Sequence, residues 1–190
     1  MPIVHENFTE DHGVFTYSGS NISFDYAKGD LEVVKTATGW SAGFVQSTPT
    51  LLTVNTEFEV KFEALSNRVG NAALDSTITY YTLGITLDRA NPDFSPYLHS
   101  YGIYVEGGTI KVQNGGTYGD YGAPELGKSY TLKLKPNSNS ELEIGLRGPG
   151  LTSNDPLMVI PGPFLNRNAR FQFNMYSIDT VQFKNFIIKS

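Results

Sequence analysis

The decapeptide TEFEVKFEAL, residues 56–65, sets Phe58, Val60, Phe62 and Ala64 in alternation with Glu57, Glu59, Lys61 and Glu63. A period of two sends apolar and charged side chains to opposite faces of an extended strand, whereas a helix would scatter the charges around its circumference. The segment therefore reads as a strand with one buried face and one wet face. The same rhythm recurs in SYTLKLK, with Tyr130, Leu132 and Leu134 inward, in ELEIGLR, with Leu142, Ile144 and Leu146 inward, and in RFQFNMYS, with Phe171, Phe173 and Met175 inward. ISFDY, DLEVVK, TYYTLGITL, YGIYV, TIKVQ and DTVQFKNFIIK read as further strands, and no segment sustains a 3.6-residue period over three turns. The chain is predicted to be all-β.

Turn chemistry separates the strands. EGGT at 106–109 carries the glycines that a tight hairpin needs where φ is positive, and KPNSNSE at 135–141 is a longer hairpin loop. In the last strand the apolar rhythm runs Val181, Phe183, then Phe186, Ile188, so a β-bulge is expected at Lys184–Asn185. Segments 66–77, 88–100 and 148–168 are too long for simple hairpins, and long loops on a sandwich are where binding commonly resides. A length of 190 residues with 39% hydrophobic and 13% aromatic content suits one undivided β-sandwich domain over 1–190.

The order of segments carries a resemblance. A first half ending in TEFEVKFEAL, a central YGIYVEGGTIKVQ, then ELGKSYTLKLKPNSNSELEIGLRG and a closing ARFQFNMYSIDTVQFKNFIIK together resemble the concanavalin A-like lectin and glucanase superfamily over most of the chain. Laminin-G-like and carbohydrate-binding-module sandwiches share the pattern. The resemblance implies an antiparallel jelly-roll β-sandwich of two curved sheets, and it directs attention to sugars.

Several function classes are disfavoured by composition. A net charge of -5 and only 14 Lys and Arg residues leave no phosphate-tracking surface, so nucleic acid is not an expected partner. The absence of cysteine removes disulfides, thiolate zinc sites and cysteine nucleophiles together. No apolar run reaches the roughly 18 residues of a membrane span, so no membrane insertion is expected, and MPIVHENFTE has neither the basic nor the apolar part of a signal peptide.

Catalytic readings are weighed next. A glycosidase needs two carboxylates flanking the scissile bond. Glu57, Glu59 and Glu63 form a carboxylate ladder, but Lys61 interrupts it and no aspartate stands between the glutamates as the glucanase motif requires; an ordinary solvated face fits equally well. His5 and His12 lie near an end expected to fray, His99 stands alone in a loop, and no G-x-S-x-G elbow is present. Related sandwiches carry structural calcium between loops; here Asp88, Asn91 and Asp93 could supply hard oxygen ligands, as could Asn154 and Asp155, although Asp and Asn before proline also start turns for local reasons.

Sugar rings pair an apolar face with a rim of hydroxyls, so their sites combine aromatic planes with amide and charged hydrogen-bonding groups. Loop candidates are Trp40, Phe94, Tyr97, Tyr118, Asp120 and Tyr121; Trp40 also suits the core, and the tyrosines also suit glycine-rich turns. Strand candidates are Tyr80, Tyr104, Arg170, Gln172, Asn174 and Tyr176, expected on a wet and concave sheet face, the last four opposite Phe171, Phe173 and Met175.

The leading expectation is a non-catalytic, lectin-like carbohydrate-binding domain, acting as an extracellular module or as an adhesin or receptor-binding part of a phage or cell-surface fibre. Its partners would be a glycan or polysaccharide and, in a fibre, further copies or a neighbouring module. The alternatives are a structural or assembly domain that meets only protein, and a glycoside hydrolase or polysaccharide lyase.

Overall fold

The computed structural model describes residues 2–18, 22–26, 31–35, 44–65, 80–87, 100–106, 109–114, 128–151, 158–175 and 180–190. Its strands are β1 (Pro2–Glu6), β2 (Phe15–Ser18), β3 (Ile22–Asp25), β4 (Leu31–Lys35), β5 (Phe44–Ser47), β6 (Thr50–Leu51), β7 (Glu57–Leu65) and β8 (Tyr80–Leu87). They continue as β9 (Ser100–Glu106), β10 (Thr109–Asn114), β11 (Ser129–Pro136), β12 (Leu142–Arg147), β13 (Met158–Ile160), β14 (Asn168–Met175) and β15 (Thr180–Lys189). There is no helix among the described residues.

The strands form two antiparallel sheets. One has eight strands in the order β13-β12-β11-β7-β15-β4-β3, with β1 also pairing β15; the other has seven in the order β10-β9-β8-β14-β5-β2, with β6 also pairing β14. Strands adjacent in sequence often sit in opposite sheets, as β7 and β8 do, and β14 and β15. With two sheets facing each other, the fold is an antiparallel jelly-roll β-sandwich.

The inward-facing residues read from the alternation occupy the core. Phe58, Val60, Phe62, Leu132, Leu134, Leu142, Ile144, Phe171 and Phe173 are all buried in one continuous apolar cluster. Aromatic rings bridge the two layers: Phe171 meets Phe186 with centroids 5.2 Å apart, and Phe173 meets Phe183 edge-on at 5.0 Å. The pairing of β15 with β7 shifts register between Phe183 and Asn185, the expected bulge, and it keeps Phe183, Phe186 and Ile188 all in the core. The 135–141 loop is closed by Asn137, whose backbone N–H donates to the Glu141 carbonyl at 2.9 Å and whose side-chain oxygen accepts from the N–H groups of Asn139 and Glu141.

The N-terminal segment departs from expectation. Instead of fraying, residues 2–6 form β1, which pairs β15 through Val4–Ile188, His5–Ile187 and Glu6–Phe186. A buried carboxylate anchors the segment after β1: Glu6 accepts from the Phe8 N–H at 2.8 Å and from His12 Nδ1 at 2.9 and 3.0 Å. This holds Phe8 at φ 58° and its ring in the core. Glu6 stands between His5 and Asn7, where no strand rhythm marks it as buried, so its partner His12 could not be read from the sequence.

Candidate functional site

β14 lies inside the seven-stranded sheet, paired with β8 on one edge and with β5 and β6 on the other. Because its side chains alternate, Ala169, Phe171 and Phe173 enter the core and Arg170, Gln172 and Asn174 share the opposite face. The three site residues predicted on this strand are therefore brought together. Cross-strand register extends them into three rows. Arg170 faces Thr86, which faces Ser100; Gln172 faces Gly84, which faces Gly102; Asn174 faces Thr82, which faces Tyr104. Gln46 of β5 prolongs the middle row beyond Gln172, and Lys111 of β10 prolongs the last beyond Tyr104.

Gln172, Asn174 and Tyr104 were expected on a wet face, and the structure corrects this. Gln46, Thr82, Thr86, Ser100, Gln172 and Asn174 are only 1–2% exposed and Tyr104 only 4%, while Arg170 is partly exposed. Period-two alternation tells which side of a sheet a side chain takes; it does not tell whether that side meets solvent.

Buried polar groups normally find partners, and some do here. Gln46 Nε2 donates to Gln172 Oε1 over a long 3.4 Å, and Arg170 Nη1 donates to the Ser47 carbonyl at 3.2 Å. Three side-chain atoms among the described residues are buried without any hydrogen-bond partner: Thr86 Oγ1, Gln172 Nε2 and Asn174 Oδ1. All three lie on this one face. Leaving such a group unsatisfied costs about 1–3 kcal/mol, so their concentration at one place is a local stability cost.

Two glycines occupy the middle of the same face. A β-carbon at Gly84 would run into the carbonyl oxygen of Tyr101, and one at Gly102 into that of Leu83. The close approach of β8 and β9 thus demands glycine at both positions, so neither strand contributes a side chain between the Thr86–Ser100 and Thr82–Tyr104 pairs.

The carboxylate ladder is on the other sheet, on β7. Glu57 and Glu59 are each held between two lysines: Lys189 Nζ lies 2.7 Å from Glu57 and 3.2 Å from Glu59, and Lys133 Nζ lies 3.0 Å from Glu59 and 3.7 Å from Glu57. Burial pushes the Glu59 carboxyl up, but its hydrogen bonds to Lys133 and Lys189 and their charges outweigh this and hold it below the ordinary glutamate value. Glu63 is 3.7 Å from Lys184. The arrangement is a charge-balanced outer face.

Trp40, Tyr97, Tyr118, Asp120, Tyr121 and Tyr176 lie outside the described residues, as do Phe94, His99 and the calcium candidates Asp88, Asn91, Asp93, Asn154 and Asp155. Among the described residues, no group of three His, Asp or Glu side chains is placed to hold a metal ion. Sequence reasoning missed Gln46, Thr82, Thr86 and Ser100. The signal for the threonines was present in TYYTLGITL, where Thr82, Gly84 and Thr86 alternate with Leu83, Ile85 and Leu87. Hydroxyls and glycines read there as ordinary strand filling.

No family model matches the chain, and no curated protein matches it in sequence. Solved structures do resemble it in fold. The carbohydrate recognition domain of Emp46p is 10% identical, with a TM-score of 0.58 over 93% of this chain and 88% of that one. A protein of unknown function with a galectin-like fold from Bacillus subtilis is 8% identical, with a TM-score of 0.55 over 99% and 95%. A structure from work on endo-acting O-glycanases, which prominent members of the human gut microbiota express to initiate mucin breakdown, is 9% identical, with a TM-score of 0.62 over 100% and 99%. At these identities the likeness is one of fold.

Proposed function

We propose that the chain is a non-catalytic, lectin-like carbohydrate-binding domain whose functional region centres on the polar layer that β14, β8 and β9 carry on the side of the seven-stranded sheet away from the core. The observation that carries this reading is the cluster of three unpartnered buried polar atoms on that face, from Thr86, Gln172 and Asn174. Folding alone does not explain such a cost at one place, and costs of this kind gather at functional sites. Structures described as a carbohydrate recognition domain and as galectin-like have the same architecture, which is in keeping with the concanavalin A-like resemblance. The non-catalytic part rests on chemistry: Glu57 and Glu59, the carboxylates considered for glycosidase work, are committed to lysines of their own eight-stranded sheet. This reading includes a role at an extracellular, cell or virion surface, as an adhesin or receptor-binding module.

A glycan array with the purified protein tests the reading. Binding to a defined glycan that is lost in the Gln172→Ala, Asn174→Ala double variant, with folding retained, is the expected result. No binding to any glycan would instead favour a structural or assembly domain.

A further inference from the structure

The N-terminal segment is joined to the rest of the fold in a way that lets two copies of the chain share it. We infer that residues 2–8 are exchangeable: β1 and Phe8 of one copy take the place of the same residues in a second copy, giving a strand-swapped dimer. The inference concerns the eight-stranded sheet and stands apart from the carbohydrate reading above.

The seat of the segment identifies its occupant. Among the described strands β1 pairs only with β15, through Val4–Ile188, His5–Ile187 and Glu6–Phe186, while β4 takes the earlier part of the same edge. Glu6 and Phe8 are the buried anchors, and the Phe8 ring lies with its centroid 6.0 Å from that of Phe15 and 6.4 Å from that of Tyr26. Without the segment, the β15 edge from Phe186 to Lys189 would present unpaired backbone groups beside an empty Phe8 site. Such an edge is completed by an added strand. The strand that fits it is the one already seated there, and every further copy of the chain carries that strand.

The connection to the body is loose. Thr9, Glu10, Asp11, His12 and Gly13 are all exposed. Their hydrogen bonds and ion pairs stay local among the described residues: Thr9 bonds to Asn7, His12 bonds to Glu6 and pairs with Glu10, and the Gly13 N–H donates to Asp11 at 2.8 Å. None of them reaches a strand other than β1. Attachment to the body resumes at Val14, whose carbonyl accepts from the Thr48 N–H at 2.9 Å. Five extended residues span about 17 Å, so straightening this hinge carries residues 2–8 away from their own β15 while Val14 and β2 keep their places.

Strain in the fold-back favours opening it. Phe8 sits at φ 58°, in the left-handed region that a bulky side chain avoids, and Gly13 at φ 71° marks a second sharp bend. An extended hinge relieves both bends. The pairing with β15 and the burial of Glu6 and Phe8 are the same contacts whether they form within one chain or between two, so the balance turns on the hinge and on protein concentration. A short, strained hinge is the arrangement that invites exchange.

The chain has no cysteine, so introduced thiols report on the pairing without interference. His5 and Ile187 are register partners, the first exposed and the second partly so, and neighbours across two strands have a spacing that suits a disulfide. His5→Cys protein and Ile187→Cys protein, refolded together from urea at high concentration and oxidised, should give a covalent dimer whose mapped disulfide joins position 5 of one chain to position 187 of the other. Its yield should be at least about tenfold that of Ile187→Cys refolded with Asn139→Cys, an exposed loop position that pairs with no part of β15. The parent refolded in the same way should show a non-covalent dimer in light scattering, and an excess of the peptide PIVHENFTE should suppress it. A covalent yield no higher than the control, a parent that stays monomeric, or a dimer that the peptide leaves untouched would overturn the inference. The double variant His5→Cys, Ile187→Cys at low concentration should close its disulfide within one chain; if it does not, β1 is not seated on β15 and the inference falls with it.

Discussion

Thr86→Val separates a residue kept for folding from one kept for a ligand. The substitution exchanges a hydroxyl for a methyl at the same branched shape, so strand preference and χ1 restriction are retained. Thr86 is 1% exposed and its Oγ1 has no hydrogen-bond partner, so the parent bears the desolvation cost of that oxygen, about 1–3 kcal/mol. Replacing it with an apolar atom removes that cost and adds a modest burial gain. The variant should therefore be more stable by about 1–3 kcal/mol. For a chain of this size, where each kcal/mol moves the midpoint by roughly 2–4 °C, Tm should rise by roughly 2–12 °C. Urea unfolding followed by circular dichroism gives the free energy, and a thermal scan gives Tm. The m-value should stay constant, since the surface exposed on unfolding hardly changes. A destabilisation of about 1 kcal/mol or more would refute the reasoning, because it would mean that the hydroxyl makes a hydrogen bond in the folded protein and the face is satisfied without a ligand.

Other expectations come from the core and the ion pairs. Phe171→Ala empties a site bordered by Phe15, Leu31, Val45, Phe173 and Phe183 and should cost about 3–5 kcal/mol in denaturant unfolding; near-parent stability would mean that the inward face of β14 is misassigned. Tyr130→Phe removes the hydrogen bond from the tyrosine hydroxyl to the Pro149 carbonyl at 2.8 Å and should lower stability by about 0.5–1.5 kcal/mol, measured the same way. The hydrogen bond from His12 to Glu6 raises the His12 pKa above its ordinary value, with burial opposing and the Glu6 and Glu10 charges assisting. Its stabilisation is thus fully present below about pH 6.5 and fades as pH rises through the higher folded value; in His12→Ala that part of the pH dependence of unfolding should vanish. The lowered Glu59 pKa acts in the other direction, giving stability that is present above the usual glutamate range and lost as pH falls through the folded value. Glu59→Gln should flatten the acid limb of the stability profile.

Legibility in the sequence followed the physics of the strand. Where one side of a strand enters the core, the rhythm of Phe58, Val60 and Phe62, or of Phe171 and Phe173, states the fact directly, and even the bulge between Phe183 and Asn185 shows as a slipped phase. Pairing partners were not legible, because register couples residues far apart in the chain: nothing in Gln172 announces Gly84 or Gln46 as its neighbours. The candidate site depends on those partners. Arg170, Gln172 and Asn174 could be placed on a common face from alternation alone, whereas the glycine pair and the flanking threonines appear only once β8 and β9 are set beside β14. The N-terminal strand was hidden for a similar reason, since its order derives from Glu6 and from pairing with β15 rather than from its own composition.

The position of β15 bears on how the protein is made. This strand is flanked by β7 along its length on one edge and by β4 and then β1 on the other, so it forms the seam of the eight-stranded sheet. During synthesis at about 5–20 residues per second, β1, β4 and β7 leave the ribosome many seconds before the strand that joins them. Until it arrives they present unpaired edges and bare phenylalanines to water, so closure of the sandwich must await residues 180–189. A nascent chain stalled short of residue 180 should accordingly be a strong client for chaperones that hold exposed apolar strands, and one released beyond residue 189 should not.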